Sequence, residues 1–214
     1  TITSDSSCEG FAEGGDFCGS STNYKLYFVA EFDRPSTSSG TWEKNVLSEG
    51  VNEASGKKSG AYFSFDTTTN SEVNYRISIS YVSIENAKEN LKASCIEGGF
   101  SAYQKNAETA WDSSLSKIVI ETPSTDRKIQ FYTHLYHSLI HPNIVSDVNG
   151  DYMGADFKVY KTQLDAQYSS FSVWDTYRTQ AQLVAMLYPD QSSDMMQSLV
   201  DFAEQSGGYG RWIL

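Results

Sequence analysis

The hydrophobic pattern of this chain changes its period near Ile84, from two residues to that of a helix. Before that point apolar and polar residues alternate. Leu26, Phe28, Ala30 and Phe32 form one series and Ala61, Phe63 and Phe65 a second; Val73, Tyr75, Ile77, Ile79 and Tyr81 form a third, interleaved with Asn74, Arg76, Ser78 and Ser80. Alternation over such spans implies strands with one buried and one wet face. Turns are expected at Ser36-Thr37-Ser38-Ser39-Gly40, Gly50, Gly56 and Gly60, where glycine and short polar side chains suit the bends. This portion reads as most of an antiparallel β-sandwich.

Beyond Ile84, Phe100, Tyr103, Ala107, Trp111 and Leu115 fall on one helical stripe, and a short strand Ile118-Val119-Ile120 is expected to follow. A helix from Ser124 places Tyr132, Leu135, Tyr136 and Leu139 at i, i+3, i+4 and i+7, with Pro142 ending it. Two further helices run from Ser172 to about Leu187 and from about Ser193 to Glu204, ahead of Gly207-Gly208. Asp147-Val148-Asn149-Gly150-Asp151 and the residues up to Tyr160 read as a hairpin between the second and third helices. Strands followed by helices argue for α+β layers or separate domains instead of βαβ units. The expected division is a β-sandwich over 1–84, a helical linker over 85–123 and a helical array over 124–214. At about 150 residues per domain, 214 residues fit neither one unit nor two. The apolar ending Trp212-Ile213-Leu214 is expected to mark a cut chain.

Composition narrows the function. The formal net charge of −11, with no basic block, makes nucleic acid and anionic membrane surfaces poor partners. A hydrophobic fraction of 39%, including 14% aromatics, is too rich for a disordered tail, and no apolar run reaches the 18 or so residues of a membrane span. The start Thr1-Ile2-Thr3-Ser4-Asp5-Ser6 carries no signal peptide, though a mature secreted chain would have lost one. Cys8 and Cys18 flank a Gly-rich stretch, Gly10, Gly14 and Gly15, read as a loop. A Cys8–Cys18 disulfide would imply an oxidising compartment; three free thiols, with Cys95, are the alternative. None of the ten Asn residues begins a glycosylation sequon.

Three motifs lose to simpler readings. Asp147-x-Asn149-x-Asp151 resembles a calcium-loop opening, but glycine stands at position four and Lys158 at position twelve, so an Asn-Gly turn is preferred. Gly56-Lys57-Lys58-Ser59 lacks the phosphate-loop spacing and reads as a charged turn. His134, His137 and His141 share one side of a helix without a carboxylate and read as surface or interface residues. The most informative segment runs from Tyr168 to Arg178. Ser172 and Asp175 have capping-box spacing, so Asp175 could bond back to the Ser172 amide. Against that, Asp175 and Arg178 lie three apart beside Trp174 and Tyr177. A carboxylate acceptor, a planar guanidinium donor and an indole face together suit vicinal hydroxyls of a sugar.

These residues carry a family resemblance. Phe131-Tyr132-Thr133-His134-Leu135-Tyr136-His137-Ser138-Leu139, Ser146-Asp147-Val148-Asn149-Gly150 and Phe171-Ser172-Val173-Trp174-Asp175-Thr176-Tyr177-Arg178 resemble glycoside hydrolase family 92, the exo-acting α-mannosidases. Upstream, Ile79-Ser80-Tyr81-Val82-Ser83, Asn86-Ala87 and Asn90-Leu91 add to it. The likeness is strongest from about Tyr75 to Trp212; the earlier residues match as a β-rich stretch of a fungal-type member. It implies an N-terminal β-sandwich, a helical linker and an (α/α)₆ barrel with a calcium-dependent site between them. It also implies removal of α-linked mannose, often α-1,2, from N-glycan ends with inversion, outside the cell. The mannose grip transfers to Asp175 and Arg178, with Trp174 beside them. The family's motifs for acid, base and calcium ligands are absent from this sequence, so those groups and the metal ligands are expected beyond Leu214, in the remainder of the polypeptide. The chain is then the N-terminal portion of a longer enzyme, inactive alone. The alternatives are a non-catalytic carbohydrate-binding β-sandwich module, which leaves the motif-dense helices after Thr125 unexplained, and a purely structural interaction domain.

Overall fold

The computed structural model describes residues 1–16 and 22–213. Its contacts divide the chain into two units: Thr1–Cys95 with Asp147–Asn149, and Ile96–Ser146 with Gly150–Leu214.

The first unit holds seven strands, β1 (Ile2–Ser4), β2 (Ser7–Gly15), β3 (Asn23–Phe32), β4 (Ser38–Glu43), β5 (Val46–Glu49), β6 (Ser59–Ser64) and β7 (Tyr75–Ser80), then the helix α1 (Ile84–Ala93). All pairings are antiparallel, in a four-stranded sheet ordered β1-β2-β3-β7 and a three-stranded sheet ordered β5-β4-β6. The sheets meet at Phe32, whose ring lies 4.9 Å from Phe63 and 5.1 Å from Phe65. On the opposite face, Val29 packs with Ala87, Leu91 and Ile84 of α1, so the centre of β3 is covered on both sides. α1 falls within the stretch expected as linker. It starts where the period changes, capped by the Ser83 hydroxyl, which accepts from the Asn86 amide at 3.1 Å.

Four sequence readings are corrected here. The Gly-rich stretch around Gly10 and Gly14 is the nine-residue strand β2, Ser38–Gly40 lies inside β4, and Gly60 lies inside β6. Each of these glycines stands directly opposite an aromatic residue: Gly10 faces Phe28, Gly14 Tyr24, Gly40 Tyr62 and Gly60 Trp42. A Cβ there would come within 2.7–3.2 Å of the facing side chain, so the missing side chain admits a ring across the ladder. Ile77 and Ile79, expected on a buried face, are exposed, because nothing among the described residues covers β7 there. Cys8 lies in β2; its candidate partner Cys18, and hence the disulfide, lies outside the described residues.

The second unit is mainly helical. It comprises α2 (Gly99–Leu115), α3 (Thr125–Ser138), β8 (Asn143–Ile144), β9 (Asp151–Met153), β10 (Val159–Lys161), β11 (Tyr168–Ser169), β12 (Phe171–Ser172), α4 (Val173–Thr176), α5 (Gln180–Leu187), α6 (Pro189–Ser206) and β13 (Trp212–Ile213). The stripes of α2 and α3 meet edge to face at Trp111 and Tyr136, with centroids 4.6 Å apart. Ser124 caps α3 by accepting from the Arg127 amide at 3.3 Å. Residues 118–120 form no strand: the Ile118 amide continues a helical turn to Leu115, and its carbonyl accepts from the Tyr132 hydroxyl at 3.1 Å. The expected hairpin is β9–β10, pairing Tyr152 with Tyr160. The helix expected from Ser172 to Leu187 is broken into α4 and α5 at Thr179, whose φ is +64°. Strands precede helices, and the α+β fold class holds.

Candidate functional site

Short-range chemistry and one long-range pairing build the site. β12 pairs with β13, setting Phe171 opposite Ile213 and Ser172 opposite Trp212, and the Val173 amide donates to the Arg211 carbonyl at 3.0 Å. Phe171 and Ile213 are buried and anchor the ladder. α4 then projects Trp174, Asp175, Tyr177 and Arg178 into solvent, all exposed.

The expected cap is replaced. Ser172 makes no side-chain cap bond; its hydroxyl donates to the Asp175 carboxylate and accepts from the Trp212 indole N–H. Trp174 and Trp212 meet edge to face, with centroids 5.4 Å apart and planes at 87°. The Arg178 guanidinium lies over the Tyr177 ring at 5.2 Å, with Nε donating to the Tyr177 hydroxyl oxygen at 2.5 Å. Among the described residues Asp175 and Arg178 form no ion pair with each other, so both keep polar edges toward solvent. The surface offers one carboxylate, one guanidinium and two indoles, a mixture that suits a hydroxyl-rich, partly apolar ring.

Trp212 is the site residue that local reasoning missed as a partner. Its sequence signal is the aromatic segment Tyr209 to Trp212, but its pairing with Ser172 spans 40 residues and leaves no local periodicity.

Asp147 lies elsewhere, in the first unit. It is buried, and its Oδ2 accepts from the Ser80 hydroxyl at 2.7 Å and the Asn86 amide at 2.8 Å, while Oδ1 accepts from Asn90 at 2.6 Å. Asn90 also accepts from the Val148 amide at 2.9 Å. Gly150 follows at φ +87°, consistent with the Asn-Gly turn. Calcium, implied by the resemblance, is not matched by this donor set: both Asp147 oxygens already accept hydrogen bonds, and among the described residues no three His, Cys, Asp or Glu side chains converge. His134 and His137 are exposed on α3, and no helix of the described residues is long and apolar enough to cross a membrane.

Family models match in two blocks: the glycosyl hydrolase family 92 N-terminal domain over residues 1–80 and the family 92 catalytic domain over residues 86–214. The chain belongs to glycosyl hydrolase family 92. Among solved structures it resembles a family GH92 α-mannosidase from Bacteroides thetaiotaomicron, at 24% identity and a TM-score of 0.84 over 100% of this chain and 29% of that one. That mannosidase is also solved in complex with mannoimidazole. An inverting GH92 mannosidase of the same organism matches at 23% identity and a TM-score of 0.89, covering 97% of this chain and 28% of its own. No curated protein matches. The chain thus spans under a third of the length of these relatives, and what they share with it is the GH92 fold of an N-terminal β-sandwich followed by the helical region of the barrel.

Proposed function

We propose that the protein is an exo-acting α-mannosidase that removes terminal α-linked mannose, with a preference for α-1,2 linkages, from N-glycans or mannans. In this reading the chain supplies part of the mannose-binding subsite. Asp175 accepts from sugar hydroxyls, Arg178 donates to them, and Trp174 covers the apolar face of the ring. The observation that carries the reading is the catalytic-domain match over residues 86–214, which includes this exposed cluster. A carbohydrate-binding module leaves that match unexplained.

Further parts of the proposal follow from family membership. The reaction inverts the anomeric centre, so an acid protonates the leaving oxygen while a base, with its carboxyl roughly 6.5–9.5 Å away, activates water on the opposite face. That pair and the calcium ligands belong to the remainder of the polypeptide, and residues 1–214 alone are inactive. The segments 1–84, 85–123 and 124–214 act as sandwich, linker and barrel opening. The enzyme works outside the cell, on neutral glycans that suit its acidic balance, and nucleic acid and membranes are not partners.

The test is substitution in the full-length enzyme. Asp175→Asn and Arg178→Ala should each lower kcat/KM on an α-1,2-mannobiose at least tenfold, because an unpaired polar group at the sugar costs roughly 1–3 kcal/mol. Unchanged kinetics with a lowered unfolding temperature would make Asp175 a local structural residue and remove the proposed grip.

A further inference from the structure

The hairpin and α6 line a half-open cavity of about 570 Å³ in the second unit, sharing no residue with the Trp174 cluster. Its floor is aromatic. Tyr152 and Tyr160 are cross-strand partners whose rings stack 5.8 Å apart with planes 28° from parallel. Tyr152 is buried and accepts from the Gln205 amide at 2.8 Å; Tyr160 is half-buried and donates to Asp156 at 3.0 Å. Gly154 lets the second ring approach, since a Cβ there would lie 2.6 Å from Tyr160 Cε2 and 2.9 Å from Gln205 Oε1. The platform is fixed before any ligand arrives.

The wall is polar. Gln197, Asp201, Glu204 and Gln205 recur along one face of α6, and Gln163 and Lys161 close the other side. Asp201 is occupied by the amides of Gln167 and Gln197, at 3.1 and 2.9 Å. Glu204 and Gln163 are exposed, and their side chains have no hydrogen-bond or ion-pair partner among the described residues. An open acceptor, an amide offering both donor and acceptor, and a fixed ring edge form a mixed lining within the roughly 300–1,000 Å³ of ligand sites. Two carboxylates against one ammonium disfavour an anionic ligand.

We propose that this cavity is a second carbohydrate-binding site, a cradle for a hexose unit of a neutral oligosaccharide, which retains polymeric substrate away from the Trp174 cluster. Mannose as that hexose rests on the proposed function; the polyhydroxyl class rests on the cavity alone.

The test is gel electrophoresis of the full-length protein through yeast mannan, with dextran gels as control, comparing wild type with the double variant Gln163→Ala, Glu204→Ala. Neither side chain has a partner to lose, so the unfolding temperature should be unchanged while retardation by mannan falls at least fivefold. Equal retardation of variant and wild type in both gels, or no retardation of the wild type in either, overturns the cradle. A lowered unfolding temperature accompanying the loss also overturns it, by making the two residues structural. Retardation that depends on the cavity in dextran alone keeps the cradle and removes mannose as its ligand. Mannose release from a disaccharide is followed separately, so failure of the mannosidase reading leaves the retardation result standing.

Discussion

Replacing Asp147 by Asn would put an amide N–H₂ where a buried oxygen now accepts. Ser80, Asn86 and Asn90 all donate to that carboxylate, so at least one donor loses its acceptor. A buried unsatisfied donor costs about 1–3 kcal/mol, and Asp147→Asn should lower the stability of the full-length protein by that amount in urea unfolding; an unchanged midpoint would show that the site relaxes or admits water. A second residue-scale expectation concerns pH. The hydrogen bond from Lys158 holds the Asp156 carboxyl below its ordinary value, and the same bond raises Lys158. Asp156 therefore stabilises the hairpin turn above about pH 3.9, and that contribution is lost as pH falls through the lowered value. Lys158 contributes below about pH 10.4, and its share is lost as pH rises through the raised value. An NMR titration of Asp156 should give a midpoint below about 3.9; one above it contradicts the bond. The residue types at these positions were legible in the sequence, as a turn motif at 147–151. Their meeting was not, because Asp147 and its donors lie 57–67 residues apart.

At the element scale, the helices and strands misread in the sequence have two physical causes. Glycines taken for turns are strand positions that face aromatic rings, a pairing visible only once the register is known. The break at Thr179 has another origin. Gln180 Nε2 donates to the Ser138 carbonyl at the end of α3, at 2.8 Å, and Gln182 donates to the Tyr177 carbonyl at 2.9 Å. These side chains satisfy helix-end carbonyls that have no intrahelical donor, and α5 takes its start from them instead of continuing α4. Thr179 carries the resulting strain, a β-branched residue at φ +64°, which costs of order 1–3 kcal/mol. Thr179→Gly should therefore raise stability by about 1 kcal/mol after the entropy lost to a freer unfolded chain, read as a higher urea midpoint. A lower midpoint would mean that the threonine side chain contributes more than its backbone costs. Where apolar spacing was regular, in β3 and α3, the sequence reading and the structure agree, since burial against a neighbour leaves a local pattern.

For the whole molecule, the order of layers was readable, and the return of a distant segment to the first unit was not. A change of period marks the passage from sheet to helix, whereas the inclusion of Asp147–Asn149 in the first unit follows from hydrogen bonds between distant residues. The exposed cluster of Trp174, Asp175 and Arg178 was legible as a candidate because Asp, Arg and Trp at that spacing suit sugar chemistry; Trp212 was not, because only the β12–β13 pairing brings it there. Under the proposed function, this chain belongs to an enzyme that hydrolyses α-mannosides with inversion. The most direct measurement is proton NMR of an α-1,2-mannobiose during the first minutes of hydrolysis by the full-length protein, with calcium and with a chelator. β-Mannose should appear before its α-anomer, and only in calcium; no mannose, or α-mannose first, would contradict the proposed function.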